Sequence, residues 1–496
     1  MTVEPDRAGL RYGALVAGTV LLRAILAALL PLSGDEAYYW DCSRHLDWSY
    51  FDMPPLTIWG IAAGRALFGE TALAVRFPAL VSGGLTGFFL YRLIRSLGGG
   101  ARDAARAWLV VTAMPLFLVG FFYASTDAVL GAAYVAAVWA AVAIAQGDRW
   151  GWWGFAVACG LGFLGKFPVV LAAGAWVGAM TSRRARADLT TPTPYLAALL
   201  SLALTSPVWI WAAAHGGDNL AFQLAGRHAP KPLGLSYLAR FAIGSLLVAS
   251  PPILAALAVA WWRAARRSDP AWRAVAWGAA APFVLFGAVA LKEEVGAHWG
   301  GPGLLAAAAA LALSRFRWRG ALEIAGAAIG VAFVALLLSV AVLPEPWIRA
   351  EWRWTAGAAG GGTAKLAPLL GDGEIAREVE RRLGRGELAA SASYSDVHQV
   401  AFRTGGRIPV RFANIDRGTH GLASLYWYRP AELVGRDVLF FTEKPRLERE
   451  LLLRFATVRE EVPLVLSVDG REVRRVRFYR CGNLLHPEGA FTRLAS

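Results

Sequence analysis

The sequence predicts a polytopic α-helical membrane protein that ends in a soluble α/β domain. Of its 496 residues, 56% are hydrophobic, and the mean hydropathy of +0.44 is well above that of soluble domains. The apolar residues come in continuous runs rather than on one face of a helical period, which is typical of membrane spans. Half of the 86 charged side chains lie in the last 153 residues, so the composition changes at Pro344.

The apolar runs define the predicted spans, because about 18 to 25 apolar residues are needed to cross the hydrocarbon core. We predict eleven of them, at roughly 11–32, 74–94, 105–122, 126–145, 151–165, 167–180, 195–213, 237–262, 273–291, 302–313 and 321–343. The first run is expected to be retained rather than cleaved, since Glu4 and Asp6 precede it and Arg23 interrupts it. An arginine at mid-span is costly, so Arg23 should face the bundle interior and meet a carboxylate, a carbonyl or water.

The basic residues predict the orientation. Arginines crowd the connections around residues 92–106, 183–186, 263–273 and 315–319, and such loops are cytoplasmic. The opposite connections, 33–73, 122–126, 214–236 and 292–300, are then extracytoplasmic. We therefore predict a membrane domain at 1–343, with its first outer loop at 33–73, and an extracytoplasmic domain at 344–496.

The carboxy-terminal segment has the pattern of a small α/β domain. A linker, GAAGGGT at 357–363, is followed by a helical pattern at 374–384. Strand-like runs follow at 437–441, 464–468 and 476–480.

Charge and cysteine content exclude some classes of function. The net charge of +14 is spread over the inner loops and the tail rather than gathered in one stripe, so we expect no nucleic-acid partner. Cys42, Cys159 and Cys481 lack the paired spacing of a zinc site or a disulfide framework. A bridge between Cys42 and Cys481 remains an alternative.

The first outer loop concentrates acidic and aromatic residues directly after the first span. Its carboxylates between residues 33 and 55 include Asp35, Glu36, Asp41 and Asp52. Ser33 followed three residues later by Glu36 predicts a helix capping box, and Asp35 in the first turn would be favoured by the helix dipole. Carboxylates at this boundary are either solvated or placed to act on a molecule at the lipid surface.

These residues resemble a known family. An Asp-Glu pair after the first span, with an aromatic segment ending in Pro54-Pro55, is similar to the membrane glycosyltransferases that include protein O-mannosyltransferases and bacterial aminoarabinose transferases. Further similar segments are residues 76–80, 125–127 and 294–302. The tail, with Tyr394, Ala401, Phe402, Tyr426 and Trp427, resembles the outer-face domain of the aminoarabinose transferases.

The resemblance implies a GT-C-type glycosyltransferase of the bacterial inner membrane. Its donor would be a sugar on a polyprenyl phosphate, and its acceptor a lipid, glycan or protein on the extracytoplasmic side. Asp35 matches the family's catalytic aspartate, so it would accept the acceptor's proton in an inverting displacement, with Glu36 and Asp52 in positioning roles. Candidate donor-binding residues are Arg76, Asp127, Lys166, Arg227, Lys292, Glu294 and His298.

The sequence departs from the family at one informative position. Aminoarabinose transferases carry a lysine before Pro-Pro that contacts the donor phosphate, whereas this chain has Met53. A phosphate-binding cation must then come from elsewhere, and the candidates are Lys166, Arg227, His228, Lys231, Lys292 and His298. Each also has an ordinary alternative, such as a lysine that snorkels at a span end. The histidines lack the spacing of a zinc site, while a divalent ion bridging phosphate and carboxylate stays open.

Two other classes of function remain as alternatives. A transporter or lipid flippase would place ionisable residues near the bilayer midplane, whereas here, Arg23 apart, they gather at the outer boundary. An assembly protein that binds partners through its tail would need far fewer than eleven spans.

Overall fold

The structure is a computed structural model that describes residues 7–223, 234–355, 365–445 and 447–493. The chain divides into two compact units. The first comprises Met1–Leu29 and Asp47–Ala335, and the second comprises Leu30–Leu46 and Leu336–Ser496. The beginning of the first outer loop therefore folds with the carboxy-terminal unit.

Helices account for most of the membrane unit. In chain order the α-helices before the carboxy-terminal domain are α1 (Arg7–Leu29), α2 (Gly34–Cys42), α3 (Leu56–Phe68), α4 (Ala72–Ser96), α5 (Ala101–Ala113), α6 (Pro115–Gly120), α7 (Thr126–Gln146), α8 (Trp150–Gly165), α9 (Ala173–Ala179), α10 (Arg183–Asp188), α11 (Thr193–Leu204), α12 (Ser206–Ala214), α13 (Asp218–Ala221), α14 (Leu235–Ala249), α15 (Pro251–Ala265), α16 (Pro270–Val289), α17 (Gly301–Leu313) and α18 (Arg319–Val342). Short 3₁₀ turns at Phe167–Ala172 and Ala297–Gly300 precede α9 and α17.

Several of these helices can cross a membrane by length and composition. Within the described residues, α1, α4, α7, α16 and α18 qualify singly, and two bent pairs bring the number to at most seven. Shorter apolar helices occur at Leu56–Phe68, Phe167–Ala179 and Ala297–Leu313. The multi-pass architecture is confirmed, but the predicted count of eleven spans is not.

Two predicted spans are interrupted by proline. The segment predicted as one span at 237–262 is two helices that meet at 100°. The bend falls where Ser250, at φ 67°, precedes Pro251 and Pro252, which cannot continue the hydrogen-bonding of α14. The span predicted at 195–213 bends by 47° between α11 and α12, just before Pro207.

The membrane unit is built around α7. Of the apolar window of α7, 89% is buried, against 17% for α18, so α7 lies at the centre of the bundle and α18 at its surface. The Tyr134 hydroxyl on α7 donates to the carbonyl of Gly278 on α16 at 2.7 Å. Arg23 is 5% exposed, contacts the rings of Trp108 and Phe121, and donates to a carbonyl on its own helix. The prediction that Arg23 faces the bundle interior is confirmed.

The carboxy-terminal unit is a small α/β domain. Its elements after α18 are α19 (Pro344–Thr355), α20 (Asp372–Arg382), β1 (Leu388–Ser391), α21 (Tyr394–Arg403), β2 (Val410–Phe412), α22 (Pro430–Leu433), β3 (Val438–Thr442), α23 (Glu448–Leu452), β4 (Phe455–Val468) and β5 (Arg471–Leu484). Among the described residues these strands form a five-stranded sheet in the order β2-β1-β3-β5-β4. Strand β1 is parallel to β2 and β3, while β5 is antiparallel to both β3 and β4.

The predicted elements of this domain are confirmed, and the structure adds two strands and the four helices α19, α21, α22 and α23. The helix and the three strands predicted from sequence correspond to α20, β3, β4 and β5. The short strands β1 and β2 were not predicted, because three or four residues carry too little alternation. Cys42 and Cys481 are both buried, and no disulfide joins them. The predicted linker at 357–363 lies outside the described residues.

A buried ion cluster at the start of α18 provides a test of the fold. Glu323 accepts from Arg319 at 2.7 Å and from Arg106 on α5 at 2.5 Å. Glu323→Gln leaves Arg319, 8% exposed, without its counterion, and should lower the free energy of unfolding by about 3 kcal/mol. The measurement is thermal denaturation of the detergent-purified protein, followed by intrinsic fluorescence.

The matched control is Glu345→Gln, which removes one partner of the more exposed i,i+4 pair with Arg349. Exposed pairs contribute little, so its effect should stay below about 1 kcal/mol. Equal losses in the two variants would show that the cluster does not stabilise the bundle.

Candidate active site

The short helix α2 carries two of the three predicted catalytic residues. The Ser33 hydroxyl accepts from the Glu36 amide at 3.2 Å, and the Glu36 carboxylate accepts from the Ser33 amide at 3.0 Å. The predicted capping box is therefore confirmed. Glu36 is fully buried, so the structure gives it a role in fixing the start of α2.

Asp35 lies in the first turn of α2 with its side chain exposed. One of its carboxylate oxygens accepts a hydrogen bond from the hydroxyl of Tyr394 at 2.7 Å. Asp35 is thus an oriented, accessible carboxylate that can accept a proton from a bound hydroxyl.

Helix α21 of the carboxy-terminal domain holds α2 in place. A ring nitrogen of His398 lies 2.9 Å from a carboxylate oxygen of Asp41, and both side chains are buried. The amide of Gln399 donates to the carbonyl of Leu32 at 2.6 Å. The two helices approach closely at Gly34, where any side chain would collide with Ser395. The position of α2 is therefore set by residues about 360 positions further along the chain.

Electrostatics keep Asp41 ionised. Burial alone would raise the pKa of its carboxyl, but the hydrogen bond and charge of His398, together with the charges of His45 and Arg44, hold that pKa below its usual range. Arg44 lies 3.1 Å from the same carboxylate. Asp41 accordingly joins α2 to α21 as a buried charged group with its partners in place.

Three other predicted residues converge at one end of the membrane bundle. Asp127 is in the first turn of α7, Lys166 ends α8, and His298 lies in the turn before α17. Lys166 Nζ is 2.6 Å from one carboxylate oxygen of Asp127, and Nε2 of His298 is 3.6 Å from the other. The cluster brings a cation, a carboxylate and an imidazole together where helices end.

The remaining predicted residues have other surroundings. Arg76 is 2% exposed and donates to the carbonyl of Ala27 at 2.9 Å, near the end of α1. The backbone carbonyl of Asp52 accepts from Gln223 at 3.1 Å. Lys292 is exposed, and the exposed Glu294 lies 3.5 Å from Arg240. Arg227, His228 and Lys231 lie outside the described residues.

The position of the family's lysine is occupied by a buried methionine. Met53, at the position of the family's lysine, is 6% exposed. In the described parts of the chain, no three His, Cys, Asp or Glu side chains are grouped so that they could hold a metal ion.

Sequence reasoning missed His398 and the contact of Tyr394. The two residues are four apart on α21 and therefore lie on the same helix face. This spacing is a local indication that both contact the same neighbouring element. Nothing local identifies that partner as a helix near the amino terminus.

This bundle with its small sheet domain has the GT-C fold of membrane glycosyltransferases. The crystal structure of ArnT from Cupriavidus metallidurans in the apo state matches with a TM-score of 0.66, covering 97% of this chain and 100% of that chain at 18% identity. The structure of the same protein bound to undecaprenyl phosphate matches with a TM-score of 0.65, covering 96% of this chain and 99% of that chain at 19% identity. At 18–19% identity, this likeness shows that the two proteins share a fold and nothing more.

Sequence comparison gives the same relationship over a shorter range. Residues 52–211 match the family model of dolichyl-phosphate-mannose-protein mannosyltransferases. The undecaprenyl phosphate-alpha-4-amino-4-deoxy-L-arabinose arabinosyl transferase of Serratia proteamaculans is 29% identical over an alignment of 176 positions, with 30% of this chain and 31% of that relative covered. The chain thus matches under a third of this curated relative's length. The resemblance to aminoarabinose transferase-like glycosyltransferases, drawn from the first loop, is confirmed.

Asp396 on α21 gives the domain a testable pH dependence. Burial raises the pKa of its carboxyl to about 6, with Glu443 and Asp372 adding to the effect and Arg474 opposing it. The folded state therefore holds this proton more tightly than the unfolded chain, so stability falls as pH rises from about 4 through about 6. The shift corresponds to a loss on the order of 3 kcal/mol above pH 6.

Asp396→Asn should remove this part of the pH dependence. Thermal denaturation at pH 5 and pH 7.5 measures it: the melting temperature of the wild type should fall more between these values than that of the variant. Parallel changes in both proteins would show that Asp396 does not titrate in this range.

Proposed function

We propose that the protein is a glycosyltransferase that moves a sugar from a polyprenyl phosphate carrier to an acceptor on the extracytoplasmic side of a bacterial inner membrane. The observation that carries the proposal is the exposed carboxylate of Asp35, oriented by the Tyr394 hydroxyl at the start of α2. The shared fold with ArnT, whose structure holds undecaprenyl phosphate, supports the lipid-linked donor.

The proposed reaction is a single displacement. The acceptor hydroxyl oxygen bonds to the anomeric carbon while the bond from that carbon to the phosphate oxygen breaks. Asp35 takes the hydroxyl proton, and the polyprenyl phosphate leaves with the bonding electrons. One displacement inverts the anomeric centre. The leaving phosphate is already ionised, so it requires a cation more than a general acid.

Lys166 is the cation that we propose for the donor phosphate. Asp127 fixes the lysine at 2.6 Å, and a lysine has two further N–H donors for phosphate oxygens. His298 extends the polar surface beside the same carboxylate. In this proposal Lys166 replaces the family lysine that is Met53 here, while Arg76 supports the end of α1. Roles for Lys292, Glu294 and Arg227 in donor binding, and a positioning role for Asp52, remain proposals.

An apolar groove in the membrane unit suits a prenyl chain. It has a volume of about 650 Å³ and is lined by side chains of α3, α4, α7 and α8, among them Leu56, Phe77, Val129 and Leu161. A long isoprenoid tail would bury its hydrocarbon surface there.

The topology is also part of the proposal. In the described part of the chain, five single helices qualify as spans. If the two bent pairs and the predicted spans at 105–122, 151–165, 167–180 and 302–313 also cross the membrane, the chain has eleven spans. An odd number with the amino terminus inside would place α2 and the sheet domain outside. A transporter remains the alternative. It would move labelled sugar or lipid across proteoliposomes without forming a covalent product.

The base assignment predicts a large loss of activity in Asp35→Asn. The amide cannot accept the proton, so release of polyprenyl phosphate by the purified protein should fall by a factor of about 10² to 10⁴. Asp469→Asn, at an exposed carboxylate paired with Arg349, is the matched control and should retain full activity. Full activity of Asp35→Asn would refute the assignment.

The phosphate assignment predicts different behaviour for two lysines. Lys166→Gln should weaken binding of polyprenyl phosphate about tenfold or more, because a charge-assisted contact is lost. Lys444→Gln on the sheet domain should bind normally. Binding is measured by titration of polyprenyl phosphate in detergent micelles. A loss confined to Lys292→Gln would place the phosphate at that lysine instead.

A further inference from the structure

A polar cavity lies within the carboxy-terminal unit, at the other end of α2 from Asp35. Its volume is about 260 Å³, which suits one small polar group rather than a whole ligand. The side chains that matter are three arginines and an aromatic wall, namely Arg44, Arg407, Arg411, His45, Trp427 and Tyr428.

Two of the three arginines have carboxylate partners. Arg44 lies 3.1 Å from Asp41, which also lines the cavity, and Arg407 lies 3.0 Å from Glu380. The Asp41 carboxylate is engaged by His398 as well, so its charge is directed to its two partners. The carboxylates near the cavity are therefore matched by cations.

Arg411 differs from the other two. It donates to the carbonyl of the preceding residue, Val410, at 2.8 Å, and its guanidinium lies 3.6 Å from the centre of the Tyr428 ring. In the part of the chain that the structure describes, Arg411 makes no ion pair, and its Nε is buried without a hydrogen-bond partner. Burial lowers the pKa of this guanidinium, and the negative charges of Asp41 and Glu432 offset that effect only in part. A partly buried charge without a counterion is costly unless a ligand supplies one.

A glycine and three ring side chains shape the cavity around these arginines. Gly406, at φ 69°, leaves room for the Arg44 guanidinium, which any side chain at that position would displace. His45 stacks on Trp427 with ring centres 4.0 Å apart, and the Tyr428 hydroxyl lies 3.4 Å from Nε2 of His45. The result is a rigid wall beside the guanidinium of Arg411.

We propose that this cavity binds a carboxylate or phosphate group carried by a sugar of the acceptor, and that the enzyme selects anionic glycans through it. Guanidinium groups recognise both anions through paired N–H donors. The inference rests on the proposed glycosyltransferase function. Arg44 and His45 follow the C-cap of α2, so their backbone lies ~13 Å from that of Asp35 along the helix axis at 1.5 Å rise per residue. At that distance the group is recognised rather than glycosylated.

The test is direct binding to the full-length protein in detergent, with glucuronate and glucose 6-phosphate as probes and glucose as the uncharged reference. We expect at least one anionic sugar to bind more tightly than glucose. Arg411→Gln should weaken that binding about tenfold or more, and Arg385→Gln, at an exposed turn of the same domain, should leave it unchanged. If Arg411→Gln does not fold, Arg407→Gln tests the same cavity with the same expected direction.

The three ligands separate the outcomes. Preference for glucuronate indicates a carboxylate and preference for glucose 6-phosphate indicates a phosphate. Equal binding of glucose, or binding that Arg411→Gln and Arg407→Gln leave intact, overturns the proposal. Because Asp35→Asn keeps the cavity, binding in that variant should equal the wild type, so failure of this inference is distinguished from failure of the proposed reaction.

Discussion

The buried contact between Asp41 and His398 fixes the helix that carries Asp35. Helix α2 has nine residues, too few to be stable alone in water, and it begins just after the first span. Its order comes from the capping box at one end and from α21 along its length. The sheet domain thus acts as the support of the helix that carries Asp35, and its Tyr394 orients the carboxylate itself.

The placement of charges in the membrane unit follows from the cost of burying an ion in lipid. Ionisable groups are costly inside a bilayer, and the cluster of Asp127, Lys166 and His298 lies where helices end. A lysine fixed by a carboxylate is held in one place and still has donors for a ligand. In the proposed reaction, a chain with Met53 at the family's lysine position would supply its cation from the end of α8 in this way. The buried Arg23 is instead surrounded by rings and a carbonyl, which suits a structural role.

Local patterns predicted much of this architecture, and non-local contacts could not be predicted. The capping box at Ser33 and Glu36, the apolar runs and the strands of the tail depend on neighbouring residues, so sequence revealed them. The bend at Ser250 was also encoded locally, in Pro251-Pro252, but the apolar run around it favoured a single span. By contrast, His398 meets Asp41 across 357 positions, and Asp127 meets Lys166 through helix packing. One sequence without relatives carries no signal for such pairs.

Hydrogen exchange of the α2 amides in wild type and His398→Ala measures whether the sheet domain fixes α2, with sugar transfer measured on the same samples. If it does, residues 34–42 lose protection in the variant and transfer falls although Asp35 is unchanged. Unaltered protection together with unaltered transfer would contradict it, since α2 would then not depend on the sheet domain for its position.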